Sequence, residues 1–203
     1  MNKKKIVLVS GNINKVKEFR EILGGDFEVE NVKLDLDEIQ SMSVLDISER
    51  KARQAYAVLK RPVVVEDTGF FIDELNGLPG PFIKFFEENL GKGASIKLLG
   101  NSTNRSAKQV CAICYYDGKE LIFEEAEMNG IVSNEVKEGE GFGFDFCFIP
   151  DGYDKTFSEL GLKEKNKISA RKKVIEKLKN RLEMGDGKIE DIVIRKLRKV
   201  FKE

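Results

Sequence analysis

The stretch KIVLVSGNINKVKEFREIL, residues 5–23, sets the fold class at the start of the chain. Residues 5–9 are an apolar run of the kind found in buried strands, and residues 10–12 (SGN) interrupt it. Apolar side chains then recur with helical spacing from Val16 to Leu23, and Gly24-Gly25 ends the pattern. The order strand, tight loop, helix is the usual opening of an α/β fold.

Strand and helix patterns keep alternating after this opening, and a hairpin follows them. Two apolar runs separated by Asp117-Gly118 predict the hairpin, with strands at 107–116 and 120–128. We expect an α/β fold with a mixed sheet, in which the hairpin forms a second lobe beside a groove. The other predicted elements are strands at about 27–34 and 63–66, an apolar aromatic run at 144–149, and helices at 44–59, 82–89, 94–99 and 169–182.

Length and charge narrow the classes of function. The chain has 203 residues, 41% of them hydrophobic, which is enough for a domain with its own core. Its 35 Lys and Arg residues balance 35 Asp and Glu residues, so no net positive field favours nucleic acid or an anionic membrane. Because the chain has no apolar run of about 18 residues and no signal-peptide pattern, we expect a cytoplasmic protein without a membrane span.

The sequence contains no histidine, and this absence excludes more chemistry than any other feature. Hydrolases of the Ser-His-Asp and Cys-His types are excluded, as are histidine-ligated zinc sites. The cysteines Cys111, Cys114 and Cys147 form no even disulfide framework, and the first two would point to opposite faces of a strand. We therefore expect buried thiols, and a chemistry of carboxylates, lysines, arginines and a cation held by oxygen atoms.

The loop after the first strand has the layout of a phosphate site. Gly11 lets the backbone come close to an anion, the following helix presents free amides, and Lys15 adds a positive charge. The alternative is a simple connection between strand and helix in which Asn12 caps the helix. The chain has no P-loop motif, and these residues alone leave both interpretations open.

Two acidic segments are candidates for a metal site. Glu66-Asp67-Thr68-Gly69 follows the short predicted strand, at the sheet edge where α/β folds bind ligands. Adjacent carboxylates beside a hydroxyl suit an oxygen-ligated Mg²⁺ ion and an activated water molecule. Glu38 is a second acidic candidate. The alternative for both segments is a solvated acidic turn or surface position.

Two further regions contain candidate binding residues. Alternate residues within 142–148 are phenylalanines, and Asp145 lies between two of them. This pattern predicts either one buried strand face or an aromatic wall on which a base stacks. Lysines at 163–167 precede Ser169 and Arg171 at a predicted helix start, which indicates either a capped basic helix or a second anion clamp.

Together these segments resemble the inosine triphosphate pyrophosphatase, or Ham1-like, family over about residues 4–182. The segments that carry the resemblance are Ser10-Gly11-Asn12-x-x-Lys15-x-x-Glu18, residues 65–69, residues 75–84, residues 141–145 with Phe148 and Pro150, and residues 164–169 with Arg171. The resemblance implies an elongated, twisted mixed sheet flanked by helices, two lobes around a central nucleotide cleft, and a homodimer. It also implies Mg²⁺-dependent hydrolysis of ITP, dITP and XTP to the monophosphate and pyrophosphate, with Mn²⁺ as a substitute, which cleanses the nucleotide pool.

The resemblance assigns roles to individual residues. Asp67 and Lys15 are the implied catalytic residues, and Glu38 and Asp67 are the implied metal ligands. Three lysines line the cleft, residues 142–145 stack on the base, and Arg171 reads it. The full set of implied substrate-binding residues is Ser10, Gly11, Asn12, Lys15, Lys51, Thr68, Lys84, Phe142, Gly143, Phe144, Asp145, Lys165, Ser169 and Arg171.

Two departures from the family pattern concern the base. Ala170 stands where the family has a histidine that contacts the base, and Phe146 stands where it has a proline. They leave two alternatives open: the same fold and reaction with altered base specificity, or nucleotide binding with weakened catalysis. After the predicted domain at 1–182, residues 183–203 read as a basic amphipathic helical extension, and zero net charge disfavours a role for it in nucleic acid binding.

Overall fold

The computed structural model describes residues 4–184, and within them seven strands form one open, mixed sheet. The strands are β1 (Lys4–Val9), β2 (Phe27–Val32), β3 (Val63–Ile72), β4 (Pro79–Gly80), β5 (Ser106–Tyr116), β6 (Leu121–Val132) and β7 (Phe148–Pro150). Their order is β2-β1-β3-β5-β6-β7, with β4 paired to β3. β1 runs parallel to β2 and β3, and the other pairs are antiparallel.

Helices pack on both faces of this sheet. Those in the described part of the chain are α1 (Ile13–Leu23), α2 (Val44–Leu59), α3 (Ile83–Leu90), α4 (Ala94–Leu99), α5 (Phe157–Ile168) and α6 (Ala170–Met184). Val64 of β3 packs in a core with α1 and α6, whereas Val63 and Val65 pack in a core with Ala52 and Ala55 of α2. This arrangement confirms the predicted α/β fold with a mixed sheet flanked by helices.

The first strand–loop–helix unit follows its sequence signals closely. The Asn12 side chain caps α1, because its Oδ1 atom accepts hydrogen bonds from the backbone N–H groups of Asn14 (3.0 Å) and Lys15 (3.3 Å). Gly24 ends the helix with a φ of 69°, a left-handed conformation that favours glycine. The loop therefore places the start of α1 next to the carboxyl end of β1.

A gap opens in the sheet beside this loop. β1 pairs with β2 from Lys4 to Val9, but it meets β3 only at Leu8 and Val64. β3 continues for eight residues past Val64, to Ile72, while the chain after Val9 turns away into α1. Between Val65 and Gly69 the edge of β3 that faces β1 is therefore free of strand pairing, until β4 pairs with it at Phe70 and Phe71, and the side chains of this stretch line a cleft.

The prediction of a short strand at 63–66 was wrong. β3 runs from Val63 to Ile72, so Glu66-Asp67-Thr68-Gly69 lie inside a strand and not after its end. The physical reason is β5, which pairs with β3 along its whole length, and the burial of Phe70 and Ile72 in a core. The acidic segment lines the cleft because β1 ends beside it and leaves this part of β3 without a neighbouring strand, although β3 itself continues.

The predicted hairpin is confirmed as β5 and β6. The expectation that it forms a separate lobe was wrong, because β5 pairs with β3 along its whole length and places the hairpin within the main sheet. Cys111 packs in the core with α1 and α6, whereas Cys114 packs in the core with α2. Their side chains thus lie on opposite faces of the sheet, as predicted. Cys111, Cys114 and Cys147 are all free and buried.

Two segments differ from their predictions. Residues 143–146 form a 3₁₀ turn and only Phe148–Pro150 form a strand, because Gly143 has a φ of 62° that breaks the extended conformation. α5 was not predicted; it begins after Thr156, whose side chain and that of Glu159 form a capping box. The helix predicted at 169–182 is present as α6.

Two cores lie on either side of the cleft. One contains β1, α1 and α6, and the other contains the far half of β3 with α3, α5 and residues 144–148. No helix within residues 4–184 is long and apolar enough to cross a membrane. The predicted C-terminal extension lies outside the described residues from position 185 onward.

Candidate active site

The cleft beside the end of β1 has a volume of about 630 Å³, within the range of small-molecule sites. Residues of the β1–α1 loop, β3 and α2 form one side, and the start of α3 with residues 142–145 forms the other. Opposite charges are evenly matched along its lining. Its basic residues are Lys15, Lys33, Lys51, Lys84, Lys165 and Arg171, and its acidic residues are Asp35, Glu38, Glu66, Asp67, Glu87 and Asp145.

The β1–α1 loop presents backbone to the cleft. Ser10 Oγ accepts a hydrogen bond from the Asn12 N–H group at 3.1 Å, and Asn12 in turn caps α1. Gly11 needs no left-handed conformation, and a Cβ atom there would meet the Lys33 side chain at an ordinary 3.7 Å. Asn12 therefore caps α1, as one interpretation predicted, and the cap leaves the Gly11 backbone accessible, so the phosphate interpretation stays a prediction.

Asp67 lies between two lysines that come from different helices. Its Oδ1 atom is 3.8 Å from Lys15 Nζ, on α1, and its Oδ2 atom is 3.6 Å from Lys51 Nζ, on α2. The Lys51 ammonium group also pairs with Glu38, in the segment before α2. These four charged side chains form the centre of the cleft.

A chain of buried ion pairs continues from this centre beneath the cleft. Lys15 Nζ is 3.1 Å from Glu66, and the Arg171 guanidinium group bridges Glu66 and Glu18. Lys165 Nζ then joins Glu18, at 2.9 Å, to Asp145. Because opposite charges alternate along the chain and each is in contact with a partner, these buried ions are compensated.

The pKa values reflect this arrangement. Burial opposes ionisation of Glu66, but Arg171 and Lys15 lower its pKa to about 2. Burial raises the pKa of Asp67, and the fields of Lys15 and Lys51 only partly offset it. The cleft thus places a carboxylate that stays ionised next to one with a stronger affinity for a proton.

The aromatic segment divides between core and cleft. The Phe144 ring stacks on Phe70 with centroids 4.4 Å apart and is buried in the second core. Phe142 lines the cleft, with Lys165 Nζ 4.4 Å from its ring centroid. Phe146 and Phe148 are buried. The interpretation as one buried strand face is wrong, because residues 143–146 form a turn, and Phe142 with the edge of Phe144 remains as an aromatic surface of the cleft.

The structure brings most of the predicted site residues together at this cleft. Lys84 lies at its rim with a side chain that is 81% exposed. Lys165 and Arg171 are buried and fully engaged with carboxylates, so they form the base of the cleft. Ser169 lies apart from the lining: it is buried, and its Oγ atom accepts a hydrogen bond from the Lys172 N–H group at the start of α6.

The residue at position 170 does not reach the cleft either. The Ala170 side chain is buried in the core with Val174 and Ile175, and its backbone N–H group donates a hydrogen bond to Gln109 Oε1. Gln109 itself lines the cleft. Position 170 on α6 thus supplies no side chain to the cleft, whereas Gln109 on β5 supplies a polar one.

Sequence reasoning missed the roles of three residues. Glu18 was noted in a motif, yet it is the buried carboxylate that joins Lys165 to Arg171. Gln109 is a polar residue directly before the apolar run 110–114 of its strand, and that position was an available signal. Glu87 lines the cleft from α3, and nothing in its local sequence distinguishes it from Glu88.

Glu38 and Asp67 remain the predicted metal ligands. Both carboxylates lie within ion-pair distance of the Lys51 ammonium group, so they are close to each other in the cleft. Within residues 4–184 no cluster of three or more acidic, Cys or His ligands is present. Two carboxylates suit Mg²⁺, which commonly takes its remaining ligands from water and substrate phosphates.

An open mixed sheet with a cleft of alternating lysines and carboxylates at the end of its first strand defines an α/β protein with a charged small-molecule site. The chain belongs to the Ham1 family, whose family model matches residues 6–181. It is 45% identical over 178 residues to inosine triphosphate pyrophosphatase 2 of Trypanosoma cruzi, covering 86% of this chain and 90% of that protein.

Two other comparisons agree with this family. The chain is 41% identical over 176 residues to the dITP/XTP pyrophosphatase of Methanopyrus kandleri, covering 85% of this chain and 93% of that protein. The structure of the Ham1 protein of Staphylococcus aureus matches with a TM-score of 0.78 and 28% identity, covering 90% of this chain and all of that one. The relatives and the fold thus point to the same family.

Proposed function

We propose that this chain hydrolyses the deaminated purine triphosphates ITP, dITP and XTP to the corresponding monophosphates and pyrophosphate. The observation that carries the proposal is Asp67, a carboxylate held in the cleft between Lys15 and Lys51. The names of the relatives from Trypanosoma cruzi and Methanopyrus kandleri, which describe this activity, support it.

The triphosphate would bind at the β1–α1 loop. A nucleoside triphosphate carries about four negative charges near neutral pH, so several cations and backbone donors are needed to hold it. The Ser10-Gly11 backbone and the start of α1 would supply the donors. Lys15, Lys51 and the exposed Lys84 at the rim would supply positive charge. The base would then extend toward Phe142.

Asp67 would orient the attacking water molecule and accept its proton. Burial strengthens its affinity for a proton, while Lys15 and Lys51 favour its ionised form before reaction. The same lysines would neutralise charge that develops on the departing pyrophosphate. Glu38 and Asp67 would hold Mg²⁺, or Mn²⁺ in its place, and the ion when bound supplies further neutralisation of the phosphate oxygens.

The position of bond cleavage tests this proposal. We expect ³¹P NMR of the full chain with ITP and MgCl₂ to show pyrophosphate and IMP appearing in equal amounts. Formation of IDP and orthophosphate would overturn the proposal, since it requires attack at the terminal phosphate. Nucleotide binding without any hydrolysis would favour the alternative of weakened catalysis.

We also propose a homodimer that acts in the cytoplasm without a nucleic acid or membrane partner. Leu78 and Phe85 support self-association, because they expose 48% and 65% of their surface around the start of α3. The free, buried cysteines suit a reducing compartment. Analytical ultracentrifugation should give twice the mass of the chain, and a Phe85→Ser variant should shift the equilibrium toward monomer.

A further inference from the structure

Gln109 is a buried amide of which only the oxygen atom is hydrogen-bonded within residues 4–184. It lies on β5 and is 1% exposed, yet it lines the cleft. Its Oε1 atom accepts a hydrogen bond of 3.0 Å from the backbone N–H group of Ala170. Its Nε2 group has no hydrogen-bond acceptor among residues 4–184. An unsatisfied amide in such a position is costly unless a ligand or water completes it.

The Ala170 contact fixes the orientation of this amide. A backbone N–H group can only donate, so the oxygen of Gln109 must face α6 and the NH₂ group must point away from it. The Nε2 atom makes no hydrogen bond within residues 4–184, yet it is not among the fully buried polar atoms that lack a partner. Part of its surface is therefore accessible. Because Gln109 borders the cleft, the NH₂ group presents two N–H donors to whatever binds there.

The amide also lies at the end of the cleft where we place the base. Gln109 is directly opposite Phe70 in the β3–β5 register, and Phe70 stacks on Phe144. Phe144 and Phe142 form the aromatic surface of the cleft. Along β3, Val64 lies beside the end of β1 and Phe70 lies opposite Gln109, so Asp67 stands between the β1–α1 loop, where we place the phosphates, and Gln109. A donor beside the aromatic surface would therefore meet an edge of the base.

We propose that Gln109 is a specificity-determining residue whose NH₂ group donates to the 6-oxo oxygen of the purine, an inference that rests on the proposed function. Hypoxanthine and xanthine carry an acceptor at this position, whereas adenine carries an amino group that also donates. Two donors that face each other in a buried site leave both unpaired, which disfavours the adenine nucleotide. Gln109 thus supplies from β5 a polar contact that Ala170 does not supply from α6.

The test compares ITP, ATP and the triphosphate of purine riboside, which lacks any 6-substituent. For the wild type we expect kcat/KM to fall about tenfold from ITP to the purine riboside triphosphate. Gln109→Met keeps the length of the side chain and removes the donor. In this variant we expect the ITP and purine riboside values to become similar, and the ITP-to-ATP ratio to fall about tenfold. Lys108→Met, on the same strand and outside the cleft, is the control and should keep the wild-type ratios.

If loss of the hydrogen-bond acceptor for the Ala170 N–H group unfolds the Gln109→Met variant, the comparison of ITP with purine riboside triphosphate in the wild type tests the inference. Equal use of ITP and purine riboside triphosphate by the wild type would overturn the inference, because no donor would be reading the 6-oxo group. An unchanged ITP-to-ATP ratio in a folded Gln109→Met variant would overturn it too.

Binding measurements separate this inference from the proposed function. Dissociation constants for the same three nucleotides, measured by calorimetry in EDTA, should show the same ratios as kcat/KM. If the wild type binds ITP in preference to purine riboside triphosphate but hydrolyses neither, the proposed function fails while the role of Gln109 stands. If it binds neither nucleotide, both fail.

Discussion

Lys51 Nζ lies 3.6 Å from Asp67 Oδ2 and connects a helix on one face of the sheet to a strand within it. The same ammonium group pairs with Glu38, so one lysine holds together the two carboxylates that we propose as metal ligands. Lys15 approaches Asp67 from the other helix. The proposed catalytic carboxylate is thus positioned by charges from helices on both faces of the sheet.

Removal of the Asp67 charge should separate catalysis from binding. We expect Asp67→Asn to lower kcat for ITP by at least about a hundredfold, because an amide cannot accept the proton of the attacking water. The dissociation constant for ITP, measured by calorimetry without metal, should change by less than about threefold, since the lysines that hold the phosphates remain. Asp154→Asn, at an exposed position, is the control, and wild-type hydrolysis by Asp67→Asn would contradict the assignment.

The Mg²⁺ concentration needed for activity should rise when Glu38 is substituted. We expect EDTA to abolish hydrolysis, and Glu38→Gln to raise the Mg²⁺ concentration for half-maximal activity by about tenfold, because one of two ligands is lost. Activity as a function of MgCl₂ at saturating ITP measures this shift. Asp37→Asn, at the exposed neighbouring position, should behave as the wild type. An unshifted Mg²⁺ curve for Glu38→Gln would remove Glu38 from the metal site.

The absence of a side chain at Gly11 should matter for ligand binding and not for the stability of the fold. A Cβ atom there meets only the Lys33 side chain at 3.7 Å, so we expect Gly11→Ala to change the free energy of unfolding by less than about 0.5 kcal/mol. The added methyl group should nonetheless raise KM for ITP about tenfold by blocking approach of phosphate to the backbone. Gly25→Ala, with no atoms near its Cβ position, is the control. An unchanged KM would place the phosphates elsewhere.

Glu87 should make stability depend on pH. Burial, followed by the charges of Asp145 and Glu88, raises the pKa of Glu87 from 4.5 to about 8. The folded state therefore holds a proton that the unfolded chain releases, so the free energy of unfolding falls as pH rises from 4.5 to about 8.

The substitution Glu87→Gln should remove this loss of stability at higher pH. We expect the variant to gain stability relative to the wild type, on the order of 1 kcal/mol at pH 8 and close to zero at pH 4.5. Urea unfolding at a series of pH values measures the difference. Glu138→Gln, at a position with a side chain that is 82% exposed and that does not contribute to the Glu87 pKa, is the control. A difference that stays constant between pH 4.5 and 8 would contradict the raised pKa.

Local signals made much of the fold predictable. The Asn12 cap, the glycine stop at Gly24 and the turn at Asp117-Gly118 act within a few residues, and each appears in the structure where it was expected. The length of β3 was not predictable in the same way. It depends on pairing with β5, about 40 residues farther along the chain, and on a core that the local sequence does not display.

The buried charges of the site were the least predictable part. Glu18 pairs with Lys165 and Arg171, which lie 147 and 153 residues away in the sequence. No periodicity or spacing reveals such partners, since each charge is tolerated only because the fold brings the other to it. Gln109 is similar, because its fixed orientation depends on a backbone N–H group 61 residues away.

The most direct test of the account is pyrophosphate release with Mg²⁺ across ITP, XTP, dITP, GTP, ATP and the pyrimidine triphosphates. We predict that kcat/KM for ITP, XTP and dITP exceeds the values for ATP and the pyrimidine triphosphates by at least about tenfold. Equal or greater activity on ATP or on a pyrimidine triphosphate would contradict the claim that this cleft selects deaminated purines.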